Sequence, residues 1–503
     1  MHINESIPGQ IDRKELECIS QLAKALPENS TVVELGSLFG KSSWHWAKNA
    51  SNSVNIYCVD PWQRENWIKK LERRFNTTFS LETFWENVAE SNNITALQAY
   101  SPQDFTDWNI PLDIYFDDSV HTNPIFRENL YFWLERMKPG SIMCGHAYCA
   151  SCPDLIKEVD RLAEKLSVQL EIIGKIWIIR LPVDYKSPIY LESIKESIQP
   201  DFKIETHPSH LNSIPGMMKP SELSLLYSLA RNYFSDKGEI VDLGPFLGSS
   251  TACFGEGIVA NERNIKKSYK RIYSYDLFRY EKYVGFDGLL EPQDLTTGSF
   301  FTAYLNNVMN HTDLNLINIT PGDLCQFKWD SKPIEILFID ASKSINLNDH
   351  IVKHFFPALF PGSIIVQQDY YFHGCPWVYP SMELFKPWVS YVGEAVGGTA
   401  YFVVNKKIPR VFTKNPLSKM INSNKNIYYF RQLIDKPEEY SYKDKILLLK
   451  FCYYLSESDN NREPIIELKN ILPYPGKSAQ SNTWEQVYQW NYKKVFGREA
   501  SLK

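Results

Sequence analysis

The sequence predicts an α/β chain made of two tandem copies of one helix-covered, mostly parallel sheet domain, followed by a helical C-terminal extension. Three observations predict it. The chain has 503 residues, too many for one ordinary core. A long internal repeat runs through it. Within each copy, short β-rich apolar runs alternate with amphipathic helical patterns, the signature of a parallel sheet covered on both faces.

The repeat opens with "IPGQIDRKELECISQLAKALPENSTVVELGS" at Ile7 and "IPGMMKPSELSLLYSLARNYFSDKGEIVDLGP" at Ile214, 207 residues apart. Gly36 and Gly244 are 208 apart, Asp60 and Asp276 are 216 apart, and both Asp118/Asp340 and Gly140/Gly362 are 222 apart. An offset that grows in steps means insertions in loops between fixed elements. That describes two homologous domains and not a short-period solenoid.

The strands expected in the first copy are Val32–Leu35, Ile56–Val59, Ile114–Phe116 and Ile142–Cys144. Those of the second are Ile240–Leu243, Ile272–Tyr275, Ile336–Ile339 and Ile364–Gln367. Each copy ends in two further runs, "LEIIG" and "IWIIRL" or "SYVGEAV" and "AYFVVN", which suit a closing antiparallel hairpin. The expected domains are residues 1–183 and 214–406, joined by a polar, proline-dotted linker at 184–213. From 407 to 503 the strand rhythm stops, and "YKDKILLLKFCYYLSES" has helical spacing. The aromatic "NTWEQVYQWNYKKVFG" at the end suits a partner surface, such as a second copy of the chain.

Composition excludes some classes. A hydrophobic share of 44%, a charged share of 22% and a net charge of −5 fit an ordinary globular protein. No basic patch argues for nucleic acid. No uninterrupted apolar run approaches the ~18–20 residues that span a bilayer, so no membrane partner is expected. The polar "MHINESIPGQIDRKE" carries no signal core, and scattered cysteines point to a reducing, cytoplasmic setting. Cys149 and Cys152 alone have the two-residue gap of a redox or zinc half-site, and no second pair matches them.

Each copy carries the pattern Glu/Asp-Leu-Gly-x-x-x-Gly-x-Ser where a strand turns into a helix. It comprises Glu34, Gly36, Gly40 and Ser42 in the first copy and Asp242, Gly244, Gly248 and Ser250 in the second. Glycines let the backbone turn sharply, and the helix start offers free N–H donors. The pattern is neither the dinucleotide G-x-G-x-x-G nor a P-loop, since Gly40-Lys41-Ser42 lacks the upstream glycine. This disfavours a nicotinamide or nucleotide-sugar enzyme. One βα unit later each copy places an acid at a strand end, Asp60 and Asp276, able to accept both hydroxyls of a ribose. Asp104 in "YSPQDF" and Asp323 in "TPGDLCQF" follow, where an adenine would lie.

On these motifs both copies resemble class I S-adenosylmethionine-dependent methyltransferases, in the branch of macrocin O-methyltransferase and related small-molecule O-methyltransferases. The resemblance covers about residues 7–181 and 214–405. It implies Rossmann-like seven-stranded sheets with the last strand antiparallel, S-adenosylmethionine as cofactor, and a small-molecule hydroxyl as acceptor, such as that of a sugar or natural product. It also implies where chemistry would sit. In "FIDASKS", Asp340 matches a metal ligand and Lys343 the catalytic lysine of the cation-dependent enzymes; Gln368 and Asp369 would complete an oxygen set for Mg²⁺ in the second domain. In the first copy Asp118 remains on the cofactor side. His121 takes the slot of Lys343 as a base, and Ala147 in "GHAY" has lost the family's aspartate. Two active domains are the leading expectation. One active domain beside a degenerate scaffold is the alternative.

Overall fold

The structure is a computed structural model. It describes residues 1–429 except 188, 191–197, 264, 266–268, 280–288, 291, 331, 371–374, 376, 396–397, 423 and 427. The expected helical extension, residues 407–503, is therefore described only as far as residue 429.

The first unit starts with α1 (Arg13–Lys24), whose capping box joins the Asp12 side chain to the Glu15 amide and the Glu15 side chain to the Asp12 amide. β1 (Thr31–Leu35) is buried along its whole length. It feeds α2 (Lys41–Asn49), then β2 (Asn55–Asp60), α3 (Ile68–Phe75), α4 (Leu81–Asn87) and β3 (Ile94–Gln98). β4 (Leu112–Asp117), α5 (Ile125–Leu134), β5 (Met137–Gly145) and α6 (Pro153–Leu166) follow. The hairpin β6 (Leu170–Ile173) and β7 (Ile176–Arg180) closes the sheet. Strand order is β3-β2-β1-β4-β5-β7-β6. β1 pairs in parallel with β2 and β4, and β7 runs antiparallel to β5 and β6. Chain direction across the sheet reverses beside β1, which makes its carboxyl end the topological switch point where such folds bind ligands.

The second unit repeats this plan. α7 (Pro220–Ser228) leads into β8 (Glu239–Leu243), α8 (Ser249–Ala260) and β9 (Ile272–Asp276). α9 (Pro292–Thr297) and α10 (Phe301–His311) precede β10 (Ile317–Pro321) and β11 (Ile334–Ile339). α11 (Ile345–His354), β12 (Leu359–Gln367) and α12 (Val378–Leu384) lead to the hairpin β13 (Val389–Ala395) and β14 (Thr399–Val404). The order is β10-β9-β8-β11-β12-β14-β13. The chain is thus two Rossmann-like seven-stranded domains in tandem. The expected strands lie where the periodicity put them; the edge strands β3 and β10 add one more to each sheet.

Each core is apolar and aromatic. Trp46, Phe116 and Ile178 are fully buried in the first, and Phe254, Phe338 and Val403 in the second. The two compact units are residues 1–196 with 409–431, and residues 197–408. Residues 409–431 therefore return to the first unit as a strap. Its α13 (Arg410–Lys414) stacks Phe412 on Trp108 at 5.6 Å and edges it onto Tyr57. Past α14 (Leu417–Met420), the buried Lys425 donates to Thr95 Oγ1 on β3 at 2.6 Å.

Candidate active site

The carboxyl ends of the parallel strands gather the residues that the sequence singled out. At the end of β1, Gly36 has φ +81°, and a Cβ there would run into the Asp118 carbonyl. In the second unit a Cβ on Gly244 would lie 2.9 Å from the Asp340 carbonyl. These glycines therefore let the loop pass against the end of the neighbouring strand. Gly40 and Gly248 start α2 and α8 in the left-handed conformation with no side-chain cap. The first amides of both helices are left without a side-chain acceptor.

The acids of the loop motif turn inward. Glu34 is fully buried and accepts from the Ser37 and Ser43 hydroxyls. Asp242 accepts from Ser250 at 3.0 Å and from Thr251 at 2.6 Å, and burial pushes its pKa up to about 7. Ser42, expected on the cofactor side, is buried; its hydroxyl, with those of Ser43 and Ser37, favours the charged form of Glu34 against the burial that raises its pKa. These groups brace the strand-to-helix turn from below.

Asp60 and Asp276 hold the turn from above, in matching ways. Asp60 accepts the Leu38 amide at 3.0 Å and the Trp62 amide at 2.8 Å; Asp276 accepts those of Phe246 at 3.1 Å and Phe278 at 2.8 Å. All four amides belong to residues with positive φ, at 48°, 43°, 50° and 50° respectively. Non-glycine residues there are strained. Both copies retain the same strain, stabilised by the same carboxylate. Burial raises the Asp60 pKa to about 6 and shifts Asp276 in the same direction. Each oxygen has a lone pair left for a hydroxyl. An uncapped helix start and an acid held by two backbone amides fit the amino-acid and ribose ends of S-adenosylmethionine.

Asp104 and Asp323 lie on the turns after β3 and β10. Asp104 accepts the Tyr100 amide at 2.9 Å and Lys414 Nζ of the strap at 3.2 Å. Asp323 accepts the Cys325 amide at 2.9 Å.

The two copies differ at the end of the fourth strand. In the first unit the Asp117 side chain turns into the core, onto the Tyr115 hydroxyl at 2.6 Å, while Asp118 faces the site. Asp118 Oδ1 lies 3.2 Å from His146 Nδ1 and 3.5 Å from His121 Nε2. His146 Nε2 faces Glu15 Oε2 at 3.3 Å. The buried His146 loses solvation, but hydrogen bonds to Asp118 and Glu15 raise its pKa to about 10. Burial opposes ionisation of Asp118, yet the two histidines hold its pKa below the usual carboxylate value. His121, the more exposed of the pair, is raised by Asp118 against its own desolvation.

Glu15 escaped the sequence reading because capping α1 and accepting the Lys175 amide at 2.8 Å already account for it. The repeat held the signal. Glu222 occupies the same place in α7, accepting the Lys219 amide at 2.7 Å and the Thr399 hydroxyl at 2.5 Å.

In the second unit Lys343 Nζ lies 2.6 Å from both Asp340 Oδ1 and Asp369 Oδ2. More than half of the lysine side chain reaches solvent, but its ammonium group bridges the two acids. Gln368, with its amide nitrogen toward these acids, donates to Asp340 Oδ1 at 3.1 Å and Asp369 Oδ1 at 2.9 Å. The charges of Asp340 and Asp369 outweigh desolvation and raise the Lys343 pKa, so it is held protonated. This differs from the expected set in two ways. Lys343 is an ammonium donor where a base was expected, and the slot expected for Mg²⁺ holds the chain's own cation. As arranged, Asp340, Gln368 and Asp369 do not fit a divalent ion. Among the described residues no cluster of three or more His, Cys, Asp or Glu could hold one. Nor is any described helix long and apolar enough to cross a membrane.

Residues 33–148, from β1 to just past His146, match the methyltransferase domain family. No curated protein matches the chain. Among solved structures, the O-methyltransferase NovP is 13% identical with a TM-score of 0.29, over 38% of this chain and 83% of that one. The O-methyltransferase TomG of Streptomyces achromogenes, in complex with SAM, is 12% identical with a TM-score of 0.26, over 34% and 82%. The O-methyltransferase of Bacillus cereus, in complex with SAH, is 14% identical with a TM-score of 0.25, over 35% and 84%. Two Rossmann-like sheets, a loop-and-acid clamp at each switch point and a matched methyltransferase domain in the first unit together mark this chain as resembling the class I S-adenosylmethionine-dependent methyltransferases.

Proposed function

We propose that the chain transfers a methyl group from S-adenosylmethionine to a hydroxyl of a small molecule, with the chemistry carried by the first domain. The observation behind this is the pairing of His121 with Asp118 beside the Asp60 clamp. The bound cofactor would supply the activated methyl group. The chain's part is to hold the acceptor in line and to take its proton. His121, neutral, accepts the hydroxyl proton; Asp118, kept ionised by His146, orients the ring and stabilises the resulting imidazolium. Loop amides and Asp60 orient the donor. No metal is needed for this route.

Lys343 favours a second reading for the second domain. An ammonium locked between two carboxylates is a poor proton acceptor, so this copy would bind the donor or shape the acceptor pocket without turnover.

Calorimetric titration with S-adenosylhomocysteine tests the binding half of the reading. Two sites per chain are expected, one lost in Asp60→Asn and the other in Asp276→Asn. One site only, in the first unit, leaves the second as scaffold; none overturns the reading. For the chemistry, His121→Gln should lower kcat by about 10²–10⁴ while leaving S-adenosylhomocysteine affinity unchanged. Because the base acts when neutral, kcat should rise with pH through a midpoint above the ordinary histidine value of 6.5. A flat profile would remove His121 from the reaction.

A further inference from the structure

Five of the eight described cysteines are buried, but Cys149 and Cys152 are both partly exposed, on the loop between β5 and α6. The Cys152 amide donates to the Cys149 carbonyl at 2.9 Å. Such a turn brings its end Cα atoms within about 7 Å, and disulfides span roughly 4.4–6.8 Å. Ser151 Oγ lies between the sulfurs, 3.1 Å from Cys149 Sγ and 3.8 Å from Cys152 Sγ. Cys152 is also the N-cap residue of α6, whose positive end favours thiolate.

We propose that Cys149 and Cys152 form a reversible thiol–disulfide site that reacts with low-molecular-weight disulfides. Cys149 is the attacking sulfur: the Ser151 hydrogen bond lowers its pKa, with Lys175 adding to the effect, whereas burial raises that of Cys152. The Cys149 thiolate attacks one sulfur of the small disulfide, forming a mixed disulfide and releasing one small thiolate. Cys152 then gives its proton to solvent, attacks the Cys149 sulfur and expels the second small thiolate. The pair loses two electrons and the small disulfide gains them; a reducing thiol reverses both steps. The turn begins three residues after His146, so the modification falls beside the Asp118 network without using any of its groups.

The test is to incubate the full chain with oxidised glutathione and follow its peptides by mass spectrometry. An internal disulfide in the 149–152 turn is expected, removable by dithiothreitol. Cys149 should react at least about tenfold faster than the exposed Cys325, whose thiol pKa is raised by burial and by Asp323. Cys152→Ser should stop at a glutathione adduct on Cys149, and Cys149→Ser should prevent the internal disulfide. Equal labelling of Cys149 and Cys325, or a wild-type adduct that Cys152 never displaces, would overturn the proposal.

Discussion

One carboxylate oxygen, Asp118 Oδ1, faces two imidazoles of different burial, and this separates their roles. His121 reaches solvent and can meet an acceptor, whereas His146 is sealed between Asp118 and Glu15. The folded pKa of His146, about 10, stands above the ordinary 6.5. Its stabilising effect is therefore complete below about pH 6.5 and lost as pH climbs through about 10. His146→Gln should lower stability by about 3 kcal/mol at neutral pH, since the buried Glu15 and the half-buried Asp118 lose the cation between them. It should also flatten the alkaline decline in urea denaturation curves. An unchanged alkaline slope would show that His146 does not titrate as described. Asp118 and His121 were legible in the sequence because the repeat set them against Asp340 and Lys343. The charge state of Lys343 was not. A lysine near acids serves as a base or as a counter-ion depending on separations of a few tenths of an ångström, and spacing along the chain does not encode them.

The elements were legible where their faces are uniformly apolar. "TVVEL" and "ILFI" read directly as buried strands, while the edge strands "ITALQ" and "INITP" mix polar and apolar residues and carry no clear period. The loop glycines were legible as necessary but for an incomplete reason, because Gly36 and Gly244 give way to a neighbouring backbone. The strap adds an element with an unusual lysine. Lys425 is buried against Thr95, near Cys58 and the Tyr429 ring, and desolvation lowers its pKa to about 7 from 10.5. A depressed lysine pKa opposes folding most below pH 7, and the opposition fades as pH rises toward 10.5. Lys425→Met should therefore raise Tm by on the order of 3 °C at mildly acidic pH and by little at alkaline pH. A lower Tm at acidic pH would mean that the Thr95 hydrogen bond outweighs the desolvation.

At the scale of the whole molecule, the repeat makes the doubling of the fold plain from the sequence. The return of residues 409–431 to the first unit has no such signature, because packing between distant segments leaves no period in the chain. A chain ending at Ile408 would keep every strand of the first sheet but lose Phe412 from Tyr57 and Trp108, and Lys425 from Thr95. Loss of a buried aromatic alone costs about 3–5 kcal/mol. Limited proteolysis should find the first unit of this truncated chain cut well before that of the intact one. Equal resistance would show that the strap contributes nothing to it.

That return also fixes an order of manufacture. The ribosome releases all seven strands of the first sheet early, yet their covering piece leaves the exit tunnel only after the entire second sheet. Until then Tyr57 and Trp108 lack their Phe412 neighbour. The half that is made first is thus covered only after the second sheet has been made, and a chaperone would find its open apolar face throughout that interval.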